Sequence, residues 1–239
     1  MQKKCFILVL SFYLLLSCEN RPYIQPGTTG KLKITIQNNI ETTAILSVPQ
    51  SYDKNRPTPL LIALHGHGGN AEAFHDLWKT AADSMNVILL VPQGEINLDK
   101  NIFHSWGEHT EDIIFSALDI VNNHLHLDRE KIFLTGFSLG GSKSYELGLK
   151  HSNVFRGIAP ICGHFKESFL PKEKSTINHM KIYIGHGELD NYLVEAKKAN
   201  TVLLENGNQV KLKIYRNTGH TIPDPIEEEL IQIIQFFLS

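Results

Sequence analysis

Ser138 lies at the centre of a Gly-x-Ser-x-Gly pattern that begins at Gly136 and ends at Gly140. An apolar, strand-forming run precedes the pattern, and a sequence typical of a helix start follows it. A turn this tight between strand and helix leaves hardly any room for side chains at the two glycines and projects the serine hydroxyl above the sheet edge. Ser138 is therefore the candidate nucleophile. The alternative is a glycine and serine loop without chemistry, since short motifs also occur by chance.

A serine hydroxyl is a weak nucleophile unless a base takes its proton. His220 is the candidate base, because it lies in a loop after the last predicted strand and before the last predicted helix, where a side chain can reach over the sheet edge. The sequence contains 12 histidines, and a surface position without function is the alternative for any one of them. The place of His220 in the chain distinguishes it from the others.

The base needs a third group that holds its tautomer, and three carboxylates lie near the ends of late strands. Asp190 is the preferred acid, since it follows an apolar strand and keeps the chain order serine, acid, histidine expected with this kind of turn. Its alternative role is the N-cap of the next helix. Glu188 lies two residues earlier. Asp224 follows the histidine and has a competing role as N-cap of a helix with Pro225 at its first position.

Residues 65–69, with the sequence His-Gly-His-Gly-Gly, follow the first predicted central strand. Acyl transfer places negative charge on the former carbonyl oxygen, and backbone N–H groups can bind that charge in an oxyanion hole. The expected donors are the backbone amides of His67 and of Leu139, the residue after the candidate nucleophile. The alternative is that the glycines only form a strand-to-helix turn.

His65 and His67 also mimic the start of a metal-binding histidine cluster. The aspartate and histidine expected to follow in such a cluster are missing, because residues 68–71 read Gly-Gly-Asn-Ala. The sequence therefore predicts no metal site and no cofactor. A metallohydrolase stays as an alternative that loss of activity in a strong chelator would support.

Trp106 and His104 are the candidate substrate-binding side chains, in a long loop predicted at 93–109. The alternative for Trp106 is a packed position in the core. Residues 162–179, before the next strand, are too few and too polar to form a helical cap over the site. Ser138 is therefore expected to be open to solvent.

The hydrophobic pattern predicts the strands that position these residues. Residues 32–36 and 42–48 alternate as edge strands of a hairpin around Asn38 and Asn39, with one face in solvent. From residue 60 the strands become continuous apolar runs, as in central parallel strands covered on both faces. The predicted central and later strands lie at 60–64, 87–91, 131–137, 157–161, 181–184 and 210–215.

Helices are predicted between these strands. The first follows Asn70 as N-cap and buries a stripe made of Ala73, Phe74, Leu77 and Ala81. The second has Thr110 as N-cap and apolar residues at helical spacing, namely Ile113, Ile114, Ala117, Leu118, Val121 and Leu125. This alternation predicts the α/β class, with a doubly wound, mainly parallel sheet, antiparallel N-terminal edge strands and no cap domain.

Residues 1–17 are predicted to be a signal peptide, because two lysines precede an apolar region at 6–16 that is too short to span a bilayer. The tetrapeptide that ends at Cys18 resembles the bacterial lipobox, which implies lipidation of Cys18. An ordinary signal peptide is the alternative. Residues 18–30 are predicted to be a tether. The chain is thus expected to be exported, as a membrane-anchored lipoprotein on the periplasmic or cell-surface side, or else secreted.

Composition and charge limit the partners. At 239 residues, with 42% apolar residues and a formal net charge of -2, the chain suits one sizeable core and has no basic footprint for nucleic acid. Of the three cysteines, Cys5 is expected to leave with the signal peptide and Cys18 would be acylated, which leaves Cys162 without a disulfide partner within the chain. Contact with a membrane is expected only through the N-terminal anchor.

Several motifs together resemble the α/β-hydrolase superfamily over almost all of residues 31–239: those at 65–69, 136–141, 186–190 and 219–220. The residues at 105–107, at 111–115 and before the nucleophile resemble the exported polyhydroxybutyrate depolymerase and feruloyl esterase-like group, which includes acetyl xylan esterases. The compact size and the serine turn are also similar to the phospholipase/carboxylesterase group with acyl-protein thioesterases. The resemblance implies an α/β-hydrolase fold for the domain at 31–239.

The residues and the resemblance predict a serine carboxylic-ester hydrolase that works through an acyl-enzyme. Ser138 attacks the carbonyl, His220 accepts and returns the proton, and Asp190 orients His220. An open site favours short-acyl or bulky soluble esters, including carbohydrate-linked ones. The alternatives are an acyl thioesterase or lysophospholipase of the same fold, and a non-catalytic binding protein on the hydrolase scaffold.

Overall fold

The structure is a computed structural model that describes residues 24–97, 103–173 and 177–239. The predicted signal peptide, the predicted lipidation site Cys18 and residues 18–23 of the predicted tether lie outside these residues. The end of the predicted tether is wrong by two residues, because Thr29 and Gly30 already belong to a strand that runs from Thr29 to Thr35. Strands and helices alternate through the described part of the chain, as expected for the α/β class. None of the helices in this part is long and apolar enough to cross a membrane.

The described strands, in chain order, are β1 (Thr29–Thr35), β2 (Glu41–Ser47), β3 (Thr58–Leu64), β4 (Ile88–Pro92), β5 (Glu95–Asn97), β6 (Phe103–Ser105), β7 (Leu127–Phe137), β8 (Gly157–Ile161), β9 (Lys181–Gly187) and β10 (Gln209–Tyr215). The described helices are α1 (Ala71–Ser84), α2 (Thr110–His124), α3 (Leu139–Lys150), α4 (Leu193–Glu205) and α5 (Ile226–Leu238). Short 3-10 turns lie at Gln37–Asn39 and Glu167–Phe169.

Eight strands form one sheet in the order β1-β2-β4-β3-β7-β8-β9-β10. The pairs β1 with β2 and β2 with β4 are antiparallel. The remaining neighbours in this sheet are parallel. This confirms the predicted mainly parallel sheet with antiparallel edge strands, and the turn at Gln37–Asn39 joins the predicted edge hairpin.

The central strands are buried on both faces, which explains their continuous apolar sequences. In β3, the five residues Leu60–Leu64 are at most 1% exposed. One apolar core lies between the sheet and the helices α2, α3 and α4, and the other lies between the sheet and the helices α1 and α5. Because the central strands are parallel, their carboxyl ends lie at the same edge of the sheet, where open α/β sheets carry their sites.

Helix α1 confirms the predicted cap but differs in its buried face. Asn70 Oδ1 accepts a hydrogen bond from Ala73 N–H at 2.8 Å. Phe74 and Ala81 are buried as predicted, whereas Ala73 is exposed and Trp78 is fully buried. The buried face is shifted because α1 packs against α5 as well as against the sheet.

The predicted cap at Thr110 is wrong. Thr110 is the first residue of α2, and the cap position is His109, which makes no side-chain cap hydrogen bond. The Glu95 carboxylate instead accepts hydrogen bonds from the N–H groups of Gly107 at 3.0 Å and His109 at 2.9 Å. Glu95, which precedes these two residues by 12 and 14 positions, therefore stabilises the turn that leads into α2.

The predicted cap at Asp224 is also wrong. Helix α5 begins at Ile226, its cap position is Pro225, and no side chain caps it. Asp224 is exposed and lies outside the helix. The exact start of a helix depends on the backbone angles of the preceding turn, which a residue pattern does not specify.

The predicted loop at 93–109 contains a small hairpin. Strands β5 and β6 pair antiparallel, with Glu95 opposite Ser105. Strands of three residues are too short to show an alternating pattern, so the sequence does not reveal them. This hairpin forms a second sheet beside the segment 65–69.

Candidate active site

Ser138 lies on the sharp turn between β7 and α3. Its φ of 55° and ψ of −116° are outside the regions that L-residues ordinarily adopt. Two hydrogen bonds hold this conformation: Ser138 N–H donates to Ile161 O at 2.8 Å, and Ser138 O accepts from Ser142 N–H at 2.9 Å. A strained backbone persists only where its surroundings fix it, and such positions cluster at functional sites.

The two glycines of this turn are required by close backbone contacts. A Cβ on Gly136 would lie 2.3 Å from the carbonyl of Gly140. A Cβ on Gly140 would lie 2.2 Å from Leu64 O, in the neighbouring strand β3. Both distances are far below van der Waals contact, and both neighbours are backbone atoms that cannot move aside easily. The expectation that these positions exclude side chains is confirmed.

His220 connects the predicted nucleophile with the predicted acid. Its Nε2 lies 2.8 Å from Ser138 Oγ, and its Nδ1 lies 2.7 Å from Asp190 Oδ2. An ionised carboxylate only accepts hydrogen bonds, so Nδ1 carries the proton and Nε2 is left to accept the serine proton. The structure thus brings the three predicted residues into one hydrogen-bonded series, in the order that a serine nucleophile requires.

The Asp190 carboxylate is buried, with 2% of its side chain exposed. Its Oδ1 accepts a hydrogen bond from Tyr192 N–H at 3.0 Å. Burial disfavours the charged form, but the hydrogen bonds from Tyr192 and His220 and the nearby ring of His186 hold the pKa of Asp190 below its ordinary value. Asp190 is therefore ionised at neutral pH. The N-cap of α4 is Tyr192, so Asp190 is not the cap of that helix.

The rival acid Glu188 has a different contact. Its Oε2 accepts a hydrogen bond from Asn217 N–H at 2.9 Å, and its own N–H donates to Tyr215 O at 2.9 Å. Leu189 N–H donates to Thr218 O at 2.9 Å. Glu188 therefore attaches the acid turn to the loop that carries His220.

His65 stabilises the segment 65–69 from inside the protein. Gly94 N–H donates to its Nε2 at 3.2 Å, so Nε2 is unprotonated, and Nδ1–H donates to Gly66 O at 2.7 Å. Burial lowers the pKa of His65, and the ring is therefore neutral. Because the ring is only 1% exposed and both of its nitrogens are bonded, it holds segment 65–69 in place from the protein interior.

The segment 65–69 lies directly against the nucleophile. A Cβ built on Gly66 would lie 3.6 Å from Ser138 Cβ. On the other side, Gly68 N–H donates to His104 O at 3.0 Å, attaching the segment to β6. The predicted oxyanion segment is thus held between the serine turn and the small hairpin.

Of the two residues expected to supply oxyanion donors, Leu139 directly follows Ser138 and His67 follows Gly66, the glycine that lies beside Ser138. The His67 ring is anchored by a contact of 3.0 Å between its Nδ1 and Ser105 Oγ. Leu139 is the first residue of α3, where the N–H group has no partner within the helix. Neither residue needs its side chain for this role, since the donors are backbone groups.

Trp106 is a core residue, and the expectation that it flanks an open site is wrong. The side chain is 5% exposed, and its Nε1–H donates to His65 O at 2.7 Å. Its ring centroid lies 4.8 Å from that of His65. The indole lies in the core because its apolar surface is buried there and its single hydrogen-bond donor, Nε1–H, finds an acceptor there.

His104 is half-buried, and its Nδ1–H donates to Gly94 O at 3.0 Å. It lines a cavity of about 650 Å³ together with residues of β1, β2 and the start of α1, among them Lys31 and Glu72. His104 therefore helps to hold the hairpin beside segment 65–69, and a role in binding substrate stays a prediction.

The site is open to solvent. Ser138 is half-buried, and 41% of the His220 side chain is exposed. Within 162–173 and 177–180, the described parts of the connection between β8 and β9, the structure has only the short turns at Glu167–Phe169 and 177–179. This agrees with the expectation that no helical cap covers the serine.

Sequence reasoning missed a pair of stacked rings beside the site. The rings of His164 and Tyr192 lie 4.8 Å apart, at an interplanar angle of 24°. His164 N–H donates to Ser142 Oγ, which donates to Ser138 O, and Tyr192 N–H donates to Asp190. The backbone of Tyr192 is thus bonded directly to Asp190, and that of His164 is bonded to Ser138 through the Ser142 hydroxyl. The only sequence signal is that both residues follow strand ends closely.

Cys162 lies close to the same carboxylate. Within the described residues, one group of three potential metal ligands is found, and it consists of Cys162, Asp190 and His220. Burial, with the Asp190 charge nearby, raises the pKa of Cys162 to about 12, so the thiol is protonated. A protonated thiol is a poor metal ligand, and the other two side chains already bind each other.

Residues 47–239 match the phospholipase/carboxylesterase family. Feruloyl esterase C of Emericella nidulans is 27% identical over 128 residues, which cover 50% of this chain and 45% of that enzyme. The chain therefore spans about half the length of the relatives of this kind that it matches.

Solved structures share the fold. A ferulic acid esterase matches with a TM-score of 0.72 at 17% identity, over 88% of this chain and 96% of that one. The fluorophosphonate-binding serine hydrolase F of Staphylococcus aureus matches with a TM-score of 0.70 at 15% identity, over 90% of this chain and all of that one. Such low identities are evidence for the fold alone. Because the family match covers most of the chain, and the sheet is mainly parallel with an antiparallel N-terminal edge, the protein belongs to the phospholipase/carboxylesterase family of α/β-hydrolases.

Proposed function

We propose that the protein is a serine carboxylic-ester hydrolase that works through an acyl-enzyme. The observation that carries the proposal is the series from Ser138 Oγ to His220 Nε2 at 2.8 Å and from His220 Nδ1 to Asp190 Oδ2 at 2.7 Å. It lies on a strained turn from strand to helix, in an open site. Membership in the family, and the esterase names of relatives, support the same reaction class.

In the proposed first half-reaction, Ser138 Oγ attacks the ester carbonyl carbon while His220 Nε2 takes the hydroxyl proton. Asp190 holds the ring in the required tautomer and stabilises its positive charge. The backbone amides of His67 and Leu139 bind the oxyanion of the tetrahedral intermediate. His220 then gives its proton to the leaving alcohol oxygen as the carbon–oxygen bond breaks.

In the second half-reaction, a water molecule attacks the acyl-enzyme and His220 takes one of its protons. A second tetrahedral intermediate collapses, and His220 returns the proton to Ser138 Oγ as the carboxylic acid leaves. The exposure of His220, 41% of its side chain, favours this step because solvent water reaches the base directly.

The proposed substrates are soluble esters with a short or bulky acyl group, including esters linked to carbohydrate. The open site supports soluble substrates. The stacked rings of His164 and Tyr192 favour a planar acyl group, in line with the relatives named feruloyl esterases. Thioesters and lysophospholipids form the second candidate class, which the family description and the exposed apolar residues Leu189 and Val194 favour.

Ser138→Ala tests the nucleophile. Turnover should fall on the order of a million-fold, because the three groups act as a unit. Labelling by a fluorophosphonate, which forms a covalent bond with an activated serine, should disappear. Ser168→Ala, at an exposed serine in the connection after β8, is the control and should keep both labelling and turnover. Labelling that persists in Ser138→Ala would refute the assignment, and a wild-type protein that is not labelled would indicate a non-catalytic scaffold.

An ester panel separates the substrate classes. Methyl ferulate, acetylated xylose, an acyl thioester and a lysophospholipid should be compared by kcat/KM in the wild-type protein and in Tyr192→Ala. Preference for the ferulate, lost selectively in Tyr192→Ala by about tenfold, is the expected result for an aromatic acyl group held against these rings. Preference for the thioester or the lysophospholipid would support the second class instead.

We further propose, from the sequence at 1–18, that the protein is exported and anchored to a bacterial membrane through a lipid on Cys18, with the residues between Cys18 and β1 as a tether. The ester-hydrolysing domain would then face the periplasm or the cell exterior. No partner other than the ester substrate and the anchoring membrane is part of this proposal.

A further inference from the structure

His186 lies beneath the candidate triad and has no part in the reaction proposed above. It is on β9, and it is 0% exposed. Its Nε2 lies 3.3 Å from Asp190 Oδ2, the same oxygen that His220 Nδ1 contacts at 2.7 Å. Two histidines from different strand ends therefore face one carboxylate oxygen.

The polar atoms of His186 are unusual for a packing residue. Within the described residues, neither ring nitrogen makes a hydrogen bond of good geometry, and Nε2 meets the Asp190 carboxylate only through the 3.3 Å electrostatic contact. Buried polar atoms in native proteins are nearly always satisfied. An apolar side chain of similar size would fill this space without that penalty. The position beside Asp190 therefore calls for a role beyond packing.

The contact determines the tautomer of His186. An unprotonated Nε2 would direct a lone pair at the carboxylate oxygen, so Nε2 carries the proton and its N–H dipole stabilises the negative charge. Burial lowers the pKa of His186. The charges of Asp190 and of Glu195 on α4 oppose this shift, and that of His220 adds to it. Cys162, the other titratable group at this carboxylate, is a protonated thiol. His186 is thus neutral when the triad works.

We propose that His186 is a positioning residue of the triad, whose N–H dipole lies against the Asp190 carboxylate and stabilises part of the charge on Oδ2 electrostatically. The charge that remains on Oδ2 determines how strongly Asp190 stabilises protonated His220. His186 thereby contributes to the position of the acidic limb of kcat/KM. This inference rests on the proposed function and adds a fourth residue to it.

The test compares His186→Leu, which removes the N–H group, with His186→Gln, whose amide nitrogen can take the place of Nε2. In His186→Leu more charge stays on Oδ2, so protonated His220 is stabilised. The acidic limb of the pH profile of kcat/KM should move up by about 0.5 pH unit, a threefold change in proton affinity. KM at pH values above the limb should stay within about twofold, as expected for a group that stabilises the charge formed during catalysis rather than the bound substrate. His186→Gln should restore the wild-type limb.

Ile184→Ala is the matched control, because Ile184 is on the same strand, is also 0% exposed and belongs to the apolar core between the sheet and α2, α3 and α4. It should lower thermal stability through a cavity and leave the acidic limb unchanged. If His186→Leu does not fold by circular dichroism, His186→Phe replaces it as a ring without an N–H group. Failure of both to fold would point to a packing role and would overturn the inference.

Two further outcomes would also overturn it: a folded His186→Leu with the wild-type limb, or a His186→Gln that shifts the limb as far as His186→Leu. The proposed function fails separately. In that case the wild-type protein hydrolyses no ester and is not labelled at Ser138, whereas failure of this inference alone leaves a labelled, active enzyme.

Discussion

The three late carboxylates near the site differ in what each of them contacts. Asp190 is buried and meets His220, Glu188 accepts a hydrogen bond from Asn217 N–H, and Asp224 is exposed before α5. Only the first of these contacts reaches the ring that bonds Ser138. The effects of replacing these acids should therefore differ in kind as well as in size.

Asp190→Asn should lower kcat by roughly ten-thousand-fold, because an amide favours the wrong tautomer of His220. Asp224→Ala should leave kcat unchanged and change the free energy of unfolding by no more than about 0.5 kcal/mol, since this exposed side chain caps no helix. Initial rates on a soluble ester and urea unfolding measure both. A loss of kcat in Asp224→Ala as large as that in Asp190→Asn would identify Asp224 as the acid.

At the scale of elements, the serine turn depends on how closely β7, α3 and β3 approach one another. Ser138 is held by a hydrogen bond to Ile161 in β8, and Gly140 lies against the backbone of Leu64 in β3. Three strands therefore define one turn. Its geometry is a property of the sheet as well as of the local sequence.

Gly140→Ala should destabilise the protein by about 3 kcal/mol or prevent folding, because the new Cβ would lie 2.2 Å from Leu64 O. Gly30→Ala is the matched control. A Cβ on Gly30 has no atom within 4 Å, and this position should tolerate alanine with little change in stability. Thermal unfolding of both variants measures the difference. Equal melting temperatures for Gly140→Ala and the wild-type protein would contradict the close approach.

The hairpin of β5 and β6 is the element that supports the expected oxyanion segment. It supplies Ser105 to His67 and the carbonyl of His104 to Gly68, and Trp106 follows it directly into the core. Because segment 65–69 is supported by His65 on one side and by this hairpin on the other, we expect its backbone amides to be preorganised for the proposed oxyanion.

At the scale of the whole molecule, stability should depend on pH through two buried histidines. Burial lowers the pKa of both His65 and His186 in the folded state, whereas in the unfolded chain each titrates near 6.5. Below that pH the unfolded state binds more protons than the folded state. The free energy of unfolding should therefore fall as the pH is lowered from about 6.5 to 5, by up to about 1.4 kcal/mol per pH unit for each histidine.

Urea unfolding at pH 7.5, 6.5, 5.5 and 5.0 measures this slope. This range lies above the ordinary pKa values of aspartate and glutamate, so the histidines dominate it. His186→Leu should show a smaller slope than the wild-type protein, because one of the two groups is gone. A free energy of unfolding that is flat across this range would contradict the neutral, buried state of both rings.

Membrane attachment is a second property of the whole molecule. Cys18→Ala should move the protein from the membrane fraction to the soluble fraction, if lipidation of Cys18 is the anchor. Fractionation of cells that express each form, with detection by antibody, is the measurement. Cys162→Ala is the control, since this buried thiol is not available for acylation. A protein that fractionates identically with and without Cys18 would exclude the lipid anchor.

The sequence by itself determined the helices and the strands of the main sheet, the antiparallel edge, the serine turn and the three residues that meet at it. These features depend on short-range signals: continuous or alternating hydrophobicity, glycines at a tight turn, and side chains placed just after strand ends. Ser138, Asp190 and His220 follow three different strands, and parallel strands bring their carboxyl ends to the same edge of the sheet. Chain order was therefore enough to predict that they meet.

Only the tertiary structure decided which neighbouring side chains face the site. Trp106 turns into the core because His65 O and the packed interior satisfy it there, whereas Tyr192 stays exposed and stacks on His164. His186 lies against Asp190 although neither its strand nor its sequence context distinguishes it from a packing residue. Such contacts join segments far apart in the chain, and their directions depend on packing and backbone angles that no local pattern contains.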